Sequence, residues 1–160
     1  MDIILASRSP RRIEILRKHS IDAVVMPTET DESLPEGIGM TEAVEMLARR
    51  KAEACYSSLA GDTGYTGYAG YVIVAADTIV WKDEIMGKPE DREDARRMLI
   101  KIRGTYHYVV TGIAVIDIDT GSCNVSSDVT EVWCKAYTDE EIEKYLDTDE
   151  PYDKAGSYAI

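Results

Sequence analysis

The sequence predicts an α/β fold with a mixed β-sheet, and three observations support this class. Short apolar runs typical of buried strands alternate along the chain with segments of helical periodicity. Two long strand-like segments, residues 106–118 and 124–137, flank the sequence Asp119-Thr120-Gly121, which is typical of a hairpin turn. The chain has 160 residues, of which 44% are hydrophobic, so it can bury the core of one domain.

The remaining elements have recognisable starts and ends. Pro10 suits the first turn of a helix, where its missing N–H is not needed, and Ser9 before it is a favourable N-cap. Thr41 is predicted to cap the second helix, and Thr138 with Glu141 forms the capping-box pattern of the last one. The predicted order is strand 3–6, helix 10–19, strand 23–26, helix 41–59, strand 71–76, helix 91–103, the two hairpin strands and a helix over 138–148.

Two connecting segments differ from the rest in composition. The stretch from Thr28 to Gly39 is an acidic loop. Residues 61–70 are rich in glycine and tyrosine, which predicts a flexible insertion. The strand that follows is the most apolar of the chain and is therefore predicted to lie centrally in the sheet.

Composition excludes several classes of function. Thirty acidic against eighteen basic residues give a net charge of −12, which argues against a general surface for nucleic acids or anionic membranes. No apolar run approaches the roughly 20 residues of a membrane span, and the first residues do not resemble a secretory leader. The three cysteines are odd in number and lack a Cys-x-x-Cys spacing, so we expect free thiols in a cytoplasmic protein.

The junction between the first strand and the first helix is a candidate binding site for a small anion. Ser7 and Ser9 precede Pro10 there, and Arg11 and Arg12 follow it. The start of a helix attracts anions, and arginine pairs with phosphate through two parallel hydrogen bonds. The sequence therefore predicts a local basic pocket in a chain that is acidic as a whole.

Asp77 is predicted to stand directly after the central strand, and Thr78 is next to it. Ligands of open α/β sheets bind at the carboxyl ends of the strands, so this carboxylate suits a metal ligand or a base that activates water. An aspartate that caps its own loop fits the position equally well. Thr78 would either contact a substrate base or continue the strand.

The acidic loop and the second helix offer further charged groups. The loop contains Glu29, Asp31 and Glu32, and magnesium is held by one or two carboxylates together with substrate phosphate oxygens. A solvated loop is the commoner explanation of such a segment. Lys51 follows Leu47 by four positions and therefore falls on the apolar stripe of its helix. It either reaches past that stripe to solvent or points inward at phosphate.

The rest of the chain narrows the chemistry. Lys88 lies between a glycine and a proline, and Lys154 lies in Asp153-Lys154-Ala155-Gly156; each segment alone is also an ordinary turn. Neither histidine has a serine or cysteine partner at a recognisable motif, and no common nucleotide-binding glycine motif occurs. Basic side chains with carboxylates at strand ends and helix starts fit a metal-assisted attack of water on a phosphoanhydride.

Taken together, the motifs resemble the Maf family of nucleoside triphosphate pyrophosphatases, in the family's order and over nearly the whole chain. The matching segments are Leu5-Ala6-Ser7-Arg8-Ser9-Pro10-Arg11-Arg12, Asp31-Glu32-Ser33, Lys51-Ala52, Ala76-Asp77-Thr78, Gly87-Lys88-Pro89, Gly104 with His107 and Thr111-Gly112, and Glu150-Pro151-Tyr152-Asp153-Lys154-Ala155-Gly156.

The resemblance implies hydrolysis of a nucleoside triphosphate to its monophosphate and pyrophosphate, with a divalent cation (Mg²⁺ or Mn²⁺) as cofactor. Carried over by position, Asp77 would be the proton acceptor that activates water, and it would share the metal with Glu32. Contacts to the substrate would come from Ser7, Arg11, Arg12, Lys51, Thr78, Lys88 and Lys154. The implied fold has two lobes around an elongated mixed sheet flanked by helices, with the active site in the cleft between the lobes.

Three features resemble the dTTP/UTP pyrophosphatase branch of the family, namely the paired arginines after the proline, Asp77-Thr78 and the late Asp153-Lys154-Ala155-Gly156. The alternatives are the same chemistry on 7-methyl-GTP or another noncanonical nucleotide, and a non-catalytic nucleotide-binding regulator of cell division. Residues 1–160 are expected to form one Maf-like domain that is short at its C-terminus, because family members usually continue past this point. The expected partner is a small-molecule nucleoside triphosphate, without nucleic acid or membrane, and a homodimer is compatible with the sequence.

Overall fold

The structure, a computed structural model, describes residues 2–62 and 67–158 and confirms the predicted α/β class. Within these residues, helices and strands alternate except at two pairs of consecutive strands, the third with the fourth and the fifth with the sixth. The strands are β1 (Asp2–Leu5), β2 (Ala23–Val25), β3 (Tyr71–Trp81), β4 (Ile85–Met86), β5 (Tyr106–Asp117) and β6 (Cys123–Trp133). The helices are α1 (Pro10–Lys18), α2 (Met40–Asp62), α3 (Arg92–Ile102) and α4 (Asp139–Leu146), followed by 3₁₀ turns at Glu150–Asp153 and Ala155–Ser157.

The sheet is mixed, as predicted, and β3 lies at its centre. The strand order is β2-β1-β3-β5-β6, and β4 pairs with β3 beside this path. β1 runs parallel to both β2 and β3, whereas β4 runs antiparallel to β3. The β5–β6 turn closes where the Gly121 N–H donates to the Asp117 carbonyl at 2.8 Å. Gly121 has φ of 71° there, a conformation that glycine adopts without strain.

The chain divides into two compact units. Unit 1 comprises residues 1–77 and 111–127, and unit 2 comprises residues 78–110 and 128–160. In unit 1, the buried face of α2 packs on the sheet, so that Ala48, Ala52 and Cys55 share a core with Ile4 of β1 and Ile73 of β3. This packing fixes α2, which carries Lys51, against the strand that leads to Asp77.

In unit 2, α3 and α4 pack against each other through Leu99 and Ile142, and α3 also covers the end of β3. The predicted capping box is confirmed, because Thr138 and Glu141 each bond the backbone N–H of the other. Asp91 caps α3 in a similar way by accepting from the Asp94 N–H at 2.8 Å. Helix starts therefore follow the local sequence closely in this unit.

Three expectations about local structure need correction. Asp77 does not follow its strand but lies within β3, because the β-branched residues after it extend the strand to Trp81, where it pairs with β4. α2 begins at Met40 and not after a Thr41 cap, and the Ala43 N–H bonds the Gly39 carbonyl at 2.9 Å. Ser9 does occupy the N-cap position of α1, but its side chain makes no capping hydrogen bond.

Two other expectations concern the insertion and the cysteines. Residues 61–62 of the expected flexible insertion belong to α2, residues 67–70 lie in a turn before β3, and residues 63–66 lie outside the described residues. Cys55, Cys123 and Cys134 are free thiols, as predicted. Across the described ranges, the helices are all too short or too polar to cross a bilayer.

Candidate active site

The turn between β1 and α1 brings Ser7 and Arg12 against β3. β1 and β3 pair in parallel up to Leu5 and Val74, and the Ala6 N–H continues the pairing to the Val74 carbonyl at 2.9 Å. Beyond this point, Arg12 Nη1 donates to the Ala76 carbonyl at 2.7 Å and to Ser7 Oγ at 3.3 Å. Ser7 Oγ also accepts from the Ser9 N–H at 3.2 Å. One guanidinium therefore joins the start of α1 to the residue before Asp77.

Arg12 is a fixed positive charge beside Asp77. Burial lowers the pKa of its guanidinium, the negative charge of Asp77 opposes this, and neighbouring Arg11 lowers the pKa further. An arginine remains protonated at neutral pH in spite of such a shift. Arg11 itself is exposed next to it.

Lys51 links the two carboxylates that the family resemblance assigns to the metal. Its Nζ lies 2.6 Å from Asp77 Oδ2 and 2.9 Å from Glu32 Oε1. The side chains of Lys51 and Asp77 are only 15% and 16% exposed, whereas that of Glu32 is 67% exposed. The predicted position of Lys51 on the apolar stripe is thus confirmed, and its ammonium points at acidic groups and not out to solvent.

The pKa of Lys51 is raised above its ordinary value. Burial alone would lower the pKa, but the hydrogen bonds to Asp77 and Glu32, together with the charges of these carboxylates, outweigh burial. Lys51 is therefore protonated at neutral pH, and its charge balances part of the negative charge that meets at this point.

The acidic loop is tied to α2 by several hydrogen bonds. Thr28 Oγ1 donates to the Lys51 carbonyl at 3.2 Å. Arg50 Nη1 donates to the backbone carbonyls of Asp31 at 3.1 Å and of Ser33 at 2.6 Å. The sequence did not single out Arg50, because an arginine beside the apolar stripe of a helix is usually only solvated. Its proximity to Lys51 was the one available signal.

The remaining predicted site residues fall in unit 2. Thr78 is half-buried within β3, and Lys88 is exposed after β4. Lys154 Nζ bonds Asp153 Oδ1 at 2.6 Å and the Glu150 carbonyl at 2.8 Å. The Gly156 N–H donates to the Gly87 carbonyl at 3.0 Å, so the two lysine-bearing segments are neighbours within this unit. The structure thus groups Ser7, Arg12, Glu32, Lys51 and Asp77 in unit 1, and Lys88 with Lys154 in unit 2.

A histidine–cysteine contact in unit 2 was not evident from the sequence. His107 is buried, its Nε2 contacts the Tyr158 hydroxyl, and its Nδ1 lies 3.9 Å from Cys134 Sγ. Burial lowers the pKa of His107 and raises that of Cys134. The cysteine is therefore a thiol at neutral pH, which does not suit a nucleophile.

The carboxylates of unit 1 are compatible with a divalent cation that shares its ligands with a substrate. Among residues 2–62 and 67–158, no three aspartate, glutamate, histidine or cysteine side chains cluster as a complete metal site. Asp77 and Glu32 nevertheless converge on one ammonium group, which shows that their oxygens can face a single cation. Magnesium commonly takes one or two carboxylates and completes its shell with phosphate oxygens and water.

The chain is similar to known proteins over nearly its whole length. Residues 2–160 match the family model described as Maf-like protein. The chain belongs to the Maf family. A Maf relative from Acetivibrio thermocellus, named dTTP/UTP pyrophosphatase, is 44% identical over 158 residues, which cover 99% of this chain and 78% of the relative. A protein of the same name from Desulforamulus reducens is 45% identical over 159 residues, with the same coverage of 99% and 78%.

A solved structure supports the fold of this Maf chain. The Staphylococcus aureus Ham1 protein matches with a TM-score of 0.51 and 15% identity, covering 82% of this chain and 70% of that one. At this level of identity the likeness concerns the fold alone. It supports the predicted α/β fold, in which helices flank a mixed sheet.

Proposed function

We propose that this protein hydrolyses nucleoside triphosphates to the monophosphate and pyrophosphate, with dTTP and UTP as the favoured substrates. The observation that carries the proposal is the Lys51 ammonium between Asp77 and Glu32, in a unit that also places the Arg12 guanidinium beside Asp77. Cations next to a half-buried carboxylate are what an attack of water on a phosphoanhydride requires. Both relatives are named dTTP/UTP pyrophosphatase, which favours dTTP and UTP over 7-methyl-GTP.

In the proposed reaction, water attacks the α-phosphorus and the bond from this phosphorus to the bridging oxygen breaks. A new bond forms between the water oxygen and the α-phosphorus, pyrophosphate leaves with the electron pair, and Asp77 accepts a proton from the water. Lys51 and Arg12 balance negative charge on the phosphates as it develops. Ser7, held by Arg12 and the Ser9 N–H, would donate a hydrogen bond from its hydroxyl to the substrate.

Glu32 and Asp77 are the residues that would hold a divalent cation, Mg²⁺ or Mn²⁺. When bound, such an ion would neutralise negative charge on the triphosphate and polarise the bond that breaks. The assignment of Arg11, Thr78, Lys88 and Lys154 to the substrate stays a prediction from the family resemblance. The cytoplasmic location and the lack of nucleic-acid and membrane partners also stay predictions.

A substrate panel tests the proposal. The protein is incubated with dTTP, UTP, CTP, 7-methyl-GTP, GTP and ATP in Mg²⁺ or Mn²⁺, and pyrophosphate is measured. We expect the highest kcat/KM for dTTP and UTP. In ¹⁸O-labelled water, the label should appear in the monophosphate, because water adds to the α-phosphorus. Label in the pyrophosphate would contradict the proposed reaction. Equal rates on all the nucleotides would contradict the proposed specificity.

A further inference from the structure

Two neighbouring residues of α2 hold the acidic loop at Glu32, one through the side chain and one through the backbone. Lys51 contacts the Glu32 carboxylate at 2.9 Å. Arg50 Nη1 bonds the carbonyl before Glu32, that of Asp31, and the carbonyl after it, that of Ser33, at 3.1 Å and 2.6 Å. One guanidinium nitrogen therefore fixes the peptide units on both sides of Glu32.

Packing against neighbouring side chains cannot hold Glu32 in position, so its position depends on these bonds. Its side chain is 67% exposed, whereas Asp77, the other carboxylate on Lys51, is 16% exposed within β3. Asp77 is held by its strand, but Glu32 belongs to a loop whose direction depends on hydrogen bonds to α2. The Asp31 carboxylate accepts from the Ser33 N–H at 2.9 Å, which stiffens the loop, and it is also attracted by the charge of Arg50 on α2.

We infer that Arg50 is a positioning residue that aims the Glu32 carboxylate at the cation shared with Asp77. The inference rests on the proposed function in one respect, namely that Glu32 helps to hold a divalent cation. Residues that orient metal ligands in this way typically change metal affinity by roughly 10–100-fold when they are replaced.

Electrostatics and positioning predict opposite signs for the loss of Arg50. Loss of the positive charge of Arg50 near the carboxylates that would hold the cation would by itself strengthen cation binding. Loss of the two backbone hydrogen bonds would instead release Glu32 and weaken cation binding. Arg49 provides a matched control, because it is an exposed arginine of the same helix, paired with Glu53 at 3.9 Å and not with the loop.

The experiment measures Mn²⁺ binding without nucleotide, from the electron paramagnetic resonance signal of free Mn²⁺. The variants are Arg50→Gln, Arg49→Gln, Glu32→Gln and the double variant of Arg50→Gln with Glu32→Gln. We expect Arg50→Gln to bind Mn²⁺ roughly tenfold or more weakly, while Arg49→Gln binds as the parent does or slightly better. In the Glu32→Gln background, Arg50→Gln should have no further effect, since Arg50 acts through Glu32.

Each contrary result overturns the inference. The inference is wrong if Arg50→Gln and Arg49→Gln bind Mn²⁺ equally well. It is also wrong if Arg50→Gln still weakens Mn²⁺ binding in the Glu32→Gln background, or if the parent protein binds no Mn²⁺. Circular dichroism checks that the variants fold, and Arg50→Lys, which keeps the charge but not the fork of donors, replaces Arg50→Gln if that variant unfolds. If the protein binds Mn²⁺ but hydrolyses no nucleotide, the proposed function is wrong. The Mn²⁺ affinity of the double variant then still decides whether Arg50 acts through Glu32.

Discussion

At the scale of single residues, the state of Lys51 decides what the candidate site can do. Its ammonium lies within 3 Å of two carboxylates, and its raised pKa keeps it charged at neutral pH. Because the ammonium group is already largely buried, Lys51 can bind a phosphate without a further cost for burying its charge. A lysine that merely reached solvent along an apolar stripe would not have two acidic partners.

Replacement of Lys51 by methionine is expected to weaken nucleotide binding. Lys51→Met keeps an unbranched apolar side chain, shorter by one atom, and removes the charge. A charge-assisted contact to the triphosphate is then lost, at roughly 10–100-fold in affinity. Isothermal titration with the non-hydrolysable α,β-imido-dUTP measures the change. Lys18→Met, which removes an exposed lysine of α1, is the control for net charge. Unaltered affinity in Lys51→Met would mean that Lys51 serves only its two carboxylates.

Asp77→Asn tests the proton acceptor. The amide keeps the shape of the side chain but cannot take a proton from water, so kcat should fall by about 10²–10⁴-fold. Binding of α,β-imido-dUTP should persist, because no positive group that faces the phosphates is removed. Asp83→Asn, an exposed position in the β3–β4 turn, should retain full activity. Equal kcat in the Asp77→Asn variant and the parent would remove Asp77 from its proposed role.

The sequence predicted that Lys51 lies on the apolar stripe of α2, but it did not predict the contacts of Arg50, and the reason is physical. A charged residue in the middle of an apolar stripe is anomalous by helical periodicity alone. Arg50 instead acts on backbone carbonyls of a loop, and the path of an irregular loop is set by tertiary contacts that leave no periodic pattern. The site was therefore predictable where it lies on α2 and β3, and much less so where it depends on the loop.

At the scale of elements, the capping box of α4 and the β5–β6 turn were predicted correctly, whereas the Thr41 cap of α2 and the end of β3 were not. The capping box of α4 and the β5–β6 turn depend on residues within a few positions of each other. The end of β3 depends on β4, whose two residues pair with Val80 and Trp81. Since so short a partner strand carries almost no pattern, the continuation of β3 past Asp77 was missed.

The close approach of β5 to α2 gives a prediction about stability. A Cβ added at Gly112 of β5 would lie 2.4 Å from the Val44 carbonyl oxygen of α2, a distance that requires the two elements to move apart. Gly112→Ala should therefore lower the free energy of unfolding by about 1–3 kcal/mol. Urea unfolding followed by circular dichroism measures this, with Gly39→Ala as control, since a Cβ there meets no heavy atom within 4 Å. A Gly112→Ala variant as stable as the Gly39→Ala variant would show that the contact is relaxed in solution.

At the scale of the whole molecule, a net charge of −12 contrasts with the cations gathered at the candidate site. Arg12 donates to the Ala76 carbonyl and Lys51 pairs with the Asp77 carboxylate, so both positive charges lie at the same segment of β3 and act locally. Fields from exposed charges are screened over about 10 Å at 0.1 M salt. A small triphosphate can therefore be held at the site although the average surface repels anions.

The same contrast predicts that long polyanions do not bind. Binding of duplex DNA requires many lysines and arginines that face successive phosphates and release counterions, and an overall excess of twelve acidic residues opposes this. Fluorescence anisotropy of a labelled duplex should show no binding in low salt at protein concentrations that saturate with α,β-imido-dUTP. A basic DNA-binding protein serves as the positive control for the assay. DNA binding that weakens steeply as salt is added would contradict this prediction and would reveal a basic surface on the protein.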